Sequence, residues 1–73
     1  MTNAPSLTAS SSAGGAIQLA LAGQTNLLYV FEASTNLGHW TKIAVRQNLT
    51  GSVDFTDRLA TNYPQRFYRG VAP

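Results

Sequence analysis

The run Leu28-Tyr29-Val30-Phe31-Glu32-Ala33-Ser34-Thr35-Asn36-Leu37-Gly38-His39-Trp40-Thr41-Lys42-Ile43-Ala44-Val45 reads as strand, tight polar turn, strand. Aromatic and β-branched residues fill both arms, and Ser-Thr-Asn-Leu-Gly supplies the turn chemistry between them. Such a hairpin builds a sheet. It carries no chemistry of its own.

The same reading extends in both directions. Ala16–Ala22 places Ile17, Leu19 and Leu21 on one face and Ala16, Gln18 and Ala20 on the other, the period of two that marks a half-buried strand. Gly23-Gln24-Thr25-Asn26 is a turn, and Leu27–Ser34 follows as a strand with Tyr29, Phe31 and Ala33 on one face. Trp40–Arg46 is the next strand and Gln47–Gly51 a loop. Ser52–Asp57 alternates Val53 and Phe55 against Ser52, Asp54 and Thr56. Arg58–Gln65 is a longer connection, in which Leu59-Ala60-Thr61 suits a single helical turn capped by Asp57. Arg66–Ala72 closes the series. Turn signals recur at the rhythm of a sandwich, and no segment shows a helical period. The expectation is an all-β domain: a small antiparallel sandwich of about five strands over residues 16–73. Its core is expected in Leu19, Tyr29, Phe31, Ile43 and Phe55. Residues 1–15, with Pro5, the serines Ser10–Ser12 and Gly14-Gly15, read as a flexible leader or a donor strand, with Ser6–Ser10 able to form a short edge strand.

Composition narrows the function classes. Only 11% of the 73 residues are charged, against roughly 25% in an ordinary globular domain, and 44% are apolar. The net charge of +2 is the balance of five scattered cations and three carboxylates. A nucleic-acid footprint needs a basic patch, and none is present. No apolar stretch reaches membrane-spanning length. The N-terminus lacks a basic n-region, so the expectation is a mature form without a signal peptide. There is no cysteine, which removes disulfides and thiolate metal sites.

Tyr29-x-x-x-x-Ser34-Thr35-x-Leu37-x-x-Trp40, then Phe55-Thr56-Asp57, then Arg66-Phe67-Tyr68-Arg69, resembles a small β module found near the C-termini of many large secreted bacterial proteins. The match runs from Ile17 to Val71. The layout is also distantly similar to the middle strands of a fibronectin type III sandwich. Ile17–Ala22, Leu27–Ser34, Trp40–Arg46, Val53–Thr56 and Phe67–Val71 would stand for strands B, C, C′, E and F, with residues 6–10 for A and nothing for G. The resemblance implies an extracellular or cell-surface location in a bacterium and implies no enzymatic activity. Where the module usually closes with Val after the final Arg, this chain has Gly70, which predicts a gap or a bulge.

Candidate chemistry is thin. His39, the single histidine, sits in a turn and is read as solvated. Asp54 and Asp57 lie three apart, so they point to different faces and do not form a facing carboxylate pair. Asp57 reads as a turn or cap residue, and Arg66 or Arg69 as cross-strand partners of Glu32 or Asp54. Asn48-Leu49-Thr50 fits the glycosylation acceptor pattern and is read as a loop. No catalytic residue, cofactor or metal is expected.

Two functions remain. The first is a structural or assembly module that self-associates, as a homo-oligomer or filament, or docks on a larger secreted host protein, with neither nucleic acid nor membrane as partner. Its edge would be Phe67, Tyr68, Arg69, Gly70 and Val71, because a last strand without a neighbour leaves unpaired N–H and C=O groups. The second is a carbohydrate-binding module that stacks sugars on Trp40 and Tyr63.

Overall fold

The computed structural model describes residues 5–72, so residues 1–4 of the expected leader and Pro73 lie outside it. Six strands occur in the order β1 (Ser6–Ser11), β2 (Ile17–Ala22), β3 (Leu27–Ser34), β4 (Thr41–Asn48), β5 (Ser52–Asp57) and β6 (Phe67–Val71). Short 3-10 turns at Ala13–Gly15 and Ala60–Asn62 interrupt them. The strands form two antiparallel three-stranded sheets, β1-β2-β5 and β4-β3-β6. The all-β sandwich is the expected class.

The strand count differs from expectation because Ser6–Ser11 pairs with β2 in its own chain, from Ser6↔Ala22 to Ser11↔Ile17. The edge-strand reading of this segment therefore replaces the flexible-leader reading for residues 6–11. β4 also runs to Asn48, two residues beyond the expected Arg46, and starts at Thr41 rather than Trp40.

Leu19, Leu21, Tyr29, Phe31 and Ala44 form the buried cluster between the sheets, with Leu7, Ile17, Val53 and Tyr68 packed around it. Two expected core residues are only half-buried, and each has a local cause. The β3–β4 register steps from Phe31↔Ala44 to Glu32↔Lys42, leaving Ile43 unmatched in a bulge. The bulge puts Ala44 in the core and Ile43 at its margin. Phe55 sits on β5, an edge strand. Its ring meets Phe31 at 5.7 Å between centroids, while the Arg46 guanidinium lies 5.5 Å from its centroid.

Gly70 corrects another expectation. The β3–β6 register runs from Val30↔Val71 to Ser34↔Phe67 without a shift, so there is no bulge. The space over Gly70 is filled by Leu21 from the opposite sheet, and a Cβ at position 70 would overlap Leu21 Cδ1. Glycine here lets two sheets approach closely rather than leaving a gap.

Exposure separates the two phenylalanines. Phe31→Ala is expected to cost about 3–5 kcal/mol, whereas half-exposed Phe55→Ala should cost about 1–3 kcal/mol. Urea denaturation of the two variants checks this; equal losses would contradict the edge placement of Phe55.

Candidate functional site

β6 has β3 on one side and, among the described residues, no strand on the other. Alternation sets its faces. Tyr68 and Gly70 turn inward, against the core and Leu21. Phe67, Arg69 and Val71 turn outward, with Val71 opposite Val30 and Arg69 opposite Glu32.

A buried carboxylate positions this strand. Asp57 ends β5 and is 3% exposed. Its Oδ1 accepts the Leu59 backbone N–H at 3.1 Å, and its Oδ2 accepts the Tyr68 hydroxyl at 2.8 Å. Arg66 Nε stands 3.0 Å from the same Oδ2, an ion pair whose angle does not make a hydrogen bond. Asp57 is thus a turn residue, as expected, and also the link between β5 of one sheet and β6 of the other. Burial and the Asp57 carboxylate both favour the neutral hydroxyl, so the Tyr68 pKa is pushed up to about 12. The pairing of Arg66 with Asp57 was not expected. Arg66 enters β6 at the same end at which Asp57 leaves β5, which brings the two together. The only sequence sign was the presence of both residues in the Phe-x-Asp and Arg-Phe-Tyr-Arg elements.

The outer face of the second sheet carries the expected Arg69–Glu32 contact, with Nε donating to Oε1 at 2.6 Å. The Arg69 guanidinium also lies 4.2 Å from the centroid of the Trp40 ring. Trp40 is half-buried just ahead of β4. Tyr63 is exposed in the loop before β6, as expected, and the Arg66 guanidinium stands 4.2 Å from its ring centroid. Trp40 and Tyr63 thus each have one face under a cation. Asp54 stays exposed on β5.

The turn after β3 is held by its own side chains. Ser34 Oγ accepts the N–H groups of Asn36 and Leu37 at 3.2 and 2.9 Å, and Asn36 Oδ1 accepts those of Gly38 and His39, both at 2.9 Å. Leu37 takes a left-handed conformation, φ 64°, with its side chain exposed. His39 is exposed and lines a shallow cleft of about 210 Å³ with Ser34, Thr35, Thr41, Tyr63 and Arg66. The Ser34 hydroxyl in this lining donates to Asn36 Oδ1 at 3.1 Å.

At the opposite end, Asn48 is fully buried. Its Nδ2 donates to the Gln24 carbonyl at 3.2 Å and its Oδ1 accepts the Gly51 N–H at 2.8 Å. The Asn48 carbonyl accepts the Asn26 N–H as well. A side chain committed in this way is closed to glycosylation in the folded protein, and it ties the β2–β3 turn to the β4–β5 turn. Nothing in the residues around Asn48 signals this role, because its partners are backbone groups more than twenty positions away or in a turn.

Among the described residues, no three His, Cys, Asp or Glu side chains are grouped to hold a metal ion, and no helix is long and apolar enough to cross a membrane. No protein-family model matches this chain, and no curated protein or solved structure matches it either.

Two outcomes follow from this chemistry. A tyrosine whose folded pKa, about 12, lies above its unfolded value of 10.0 supports the fold fully below pH 10 and loses that support as pH rises to 12. Stability measured by denaturant titration should therefore fall over that window, and Tyr68→Phe should flatten the fall. Asn48→Ala should cost about 1–3 kcal/mol for each backbone group it orphans. A variant with an unchanged urea midpoint would show that water replaces those bonds without loss.

Proposed function

We propose that this domain is a non-catalytic structural module that joins to another polypeptide chain by adding a strand to the free edge of β6. The observation that carries the reading is the contrast between edges. β4 is guarded by the Ile43 bulge and by Lys42 and Arg46, devices that blunt edge pairing. β6 has an unbroken register, no proline and no lysine. Its single charge, Arg69, is already engaged by Glu32 and Trp40. β1 lies on the same side of the sandwich, but five of its six residues are exposed, so it is the more weakly held template. A rigid edge loses less entropy when a strand adds to it.

The strand order supports the fibronectin-III-like comparison. β1-β2-β5 and β4-β3-β6 correspond to A-B-E and C′-C-F, and the position beside β6 is where a seventh strand, G, would lie. An extracellular or bacterial cell-surface setting rests on the resemblance of the Tyr29–Arg69 elements. The glycan reading has less support. Sugar stacking needs an open ring face, and Arg69 and Arg66 each occupy one face of Trp40 and Tyr63.

An open edge pairs with itself when nothing better is offered, and a low charge density does little to oppose it. The full chain should therefore gain mass with concentration in light scattering, and alternate amides of β6 should exchange more slowly as it does. Val71→Lys, which sets a cation on the outer face of that strand, should weaken association about tenfold while the fold persists. Association that leaves the β6 amides unprotected would place the contact elsewhere and overturn the proposal.

A further inference from the structure

Beside the free edge of β6 the two sheets do not close. Leu7 and Ala9 of β1 stand opposite Leu21 and Leu19, so they share the inward face. Leu21 fills the space between Leu7 and Gly70. From Ala9 onward the cover ends, and Ala9 is exposed although it points inward. A cleft of about 320 Å³ opens here, lined by Ala9, Ile17, Ala60, Pro64, Tyr68 and Arg66. That is about twice the roughly 150 Å³ of an apolar cavity able to hold benzene.

Resting on the strand-addition reading above, we propose that this cleft is the side-chain receptor of the docking site. Its occupant is an extended strand of another polypeptide, with uncharged apolar side chains at alternate positions. Backbone pairing with β6 sets one face of the incoming strand toward the sandwich interior, and alternate side chains then enter the cleft. The lining selects their chemistry. Ala9, Ile17, Ala60 and Pro64 offer carbon, Gln65 and the tyrosines add neutral polar groups at the margin, and the one charge, Arg66, is paired with Asp57. A cationic side chain entering there would lose its hydration beside the Arg66 guanidinium, and an anionic one would have to compete with Asp57 for it.

The chain's own strands fill this cleft poorly. Antiparallel pairing of two β6 strands centred on Gly70 places Ala72 of the second copy beside Tyr68, too small to occupy the space. Centring on Arg69 sets two guanidinium groups opposite each other. Centring on Tyr68 puts Arg66 of the second copy opposite Gly70. β1 of a second copy is held by a full antiparallel register to its own β2. Self-pairing is therefore the weak contact that a better-fitting strand displaces.

The test appends a strand of alternating valine and threonine after Pro73 through a short glycine–serine linker, in two versions offset by one residue. The linker keeps the strand at high effective concentration beside β6. One phase sends valines into the cleft and the other sends threonines. The valine-inward version is expected to protect alternate β6 amides, raise the thermal midpoint, and stay monomeric where the parent chain associates. Ala9→Lys, at an exposed position that leaves the core intact, should remove most of that gain. Equal effects from both phases, with no response to Ala9→Lys, would overturn the receptor while leaving edge pairing in place. Copies that associate through β6 despite either tail would make the second copy the occupant and overturn the inference. Failure of both tails to protect β6, in a chain that also does not pair through it, would remove the edge reading itself.

Discussion

The Asp57 carboxylate is the constraint on which the placement of β6 depends. A charge that is 3% exposed is tolerable only when its lone pairs and its charge are met, and here the lone pairs accept a backbone N–H and a tyrosine hydroxyl while the Arg66 guanidinium pairs with the charge. Those partners come from the connection after β5 and from the strand that follows. Satisfying one buried carboxylate therefore fixes where the chain turns and where β6 begins. It also sets Tyr68 inward, which by alternation sets Arg69 outward onto Glu32 and Trp40. The free edge is rigid because both of its faces are tied.

Asn48 performs the corresponding task at the other end of the sandwich. Its amide joins two turns that the sequence separates, and its carbonyl takes a third bond from Asn26. The two polar anchors bracket an apolar middle made of Leu19, Leu21, Tyr29 and Phe31. In a 73-residue chain without a disulfide, such a core leaves a narrow margin of stability. Directional bonds at both ends help to give one register rather than several.

The residues that carry the resemblance to the secreted-protein module are mostly engaged within the fold. Ser34 holds a turn, Trp40 stacks under Arg69, Asp57 receives Arg66 and Tyr68, and Tyr29 fills the core while its hydroxyl accepts the Gln24 N–H.

The strands, their inward faces and the central hairpin were legible in the sequence, because alternation and turn chemistry are local properties of the chain. Leu19, Tyr29 and Phe31 follow directly from a period of two. The burial of Ile43 and Phe55 did not follow, since a bulge and an edge position depend on which strands become neighbours. Gly70 read as a gap until Leu21 of the opposite sheet was seen to fill it. Asp57 with Arg66, and Asn48 with Gln24, are contacts that chain folding alone creates. Sequence by itself determined an all-β chain of short alternating strands joined by polar turns. Only the tertiary structure decided which edge is guarded, which is open, and that a cleft lies beside the open one, because guarding and opening are properties of how two sheets are placed against each other.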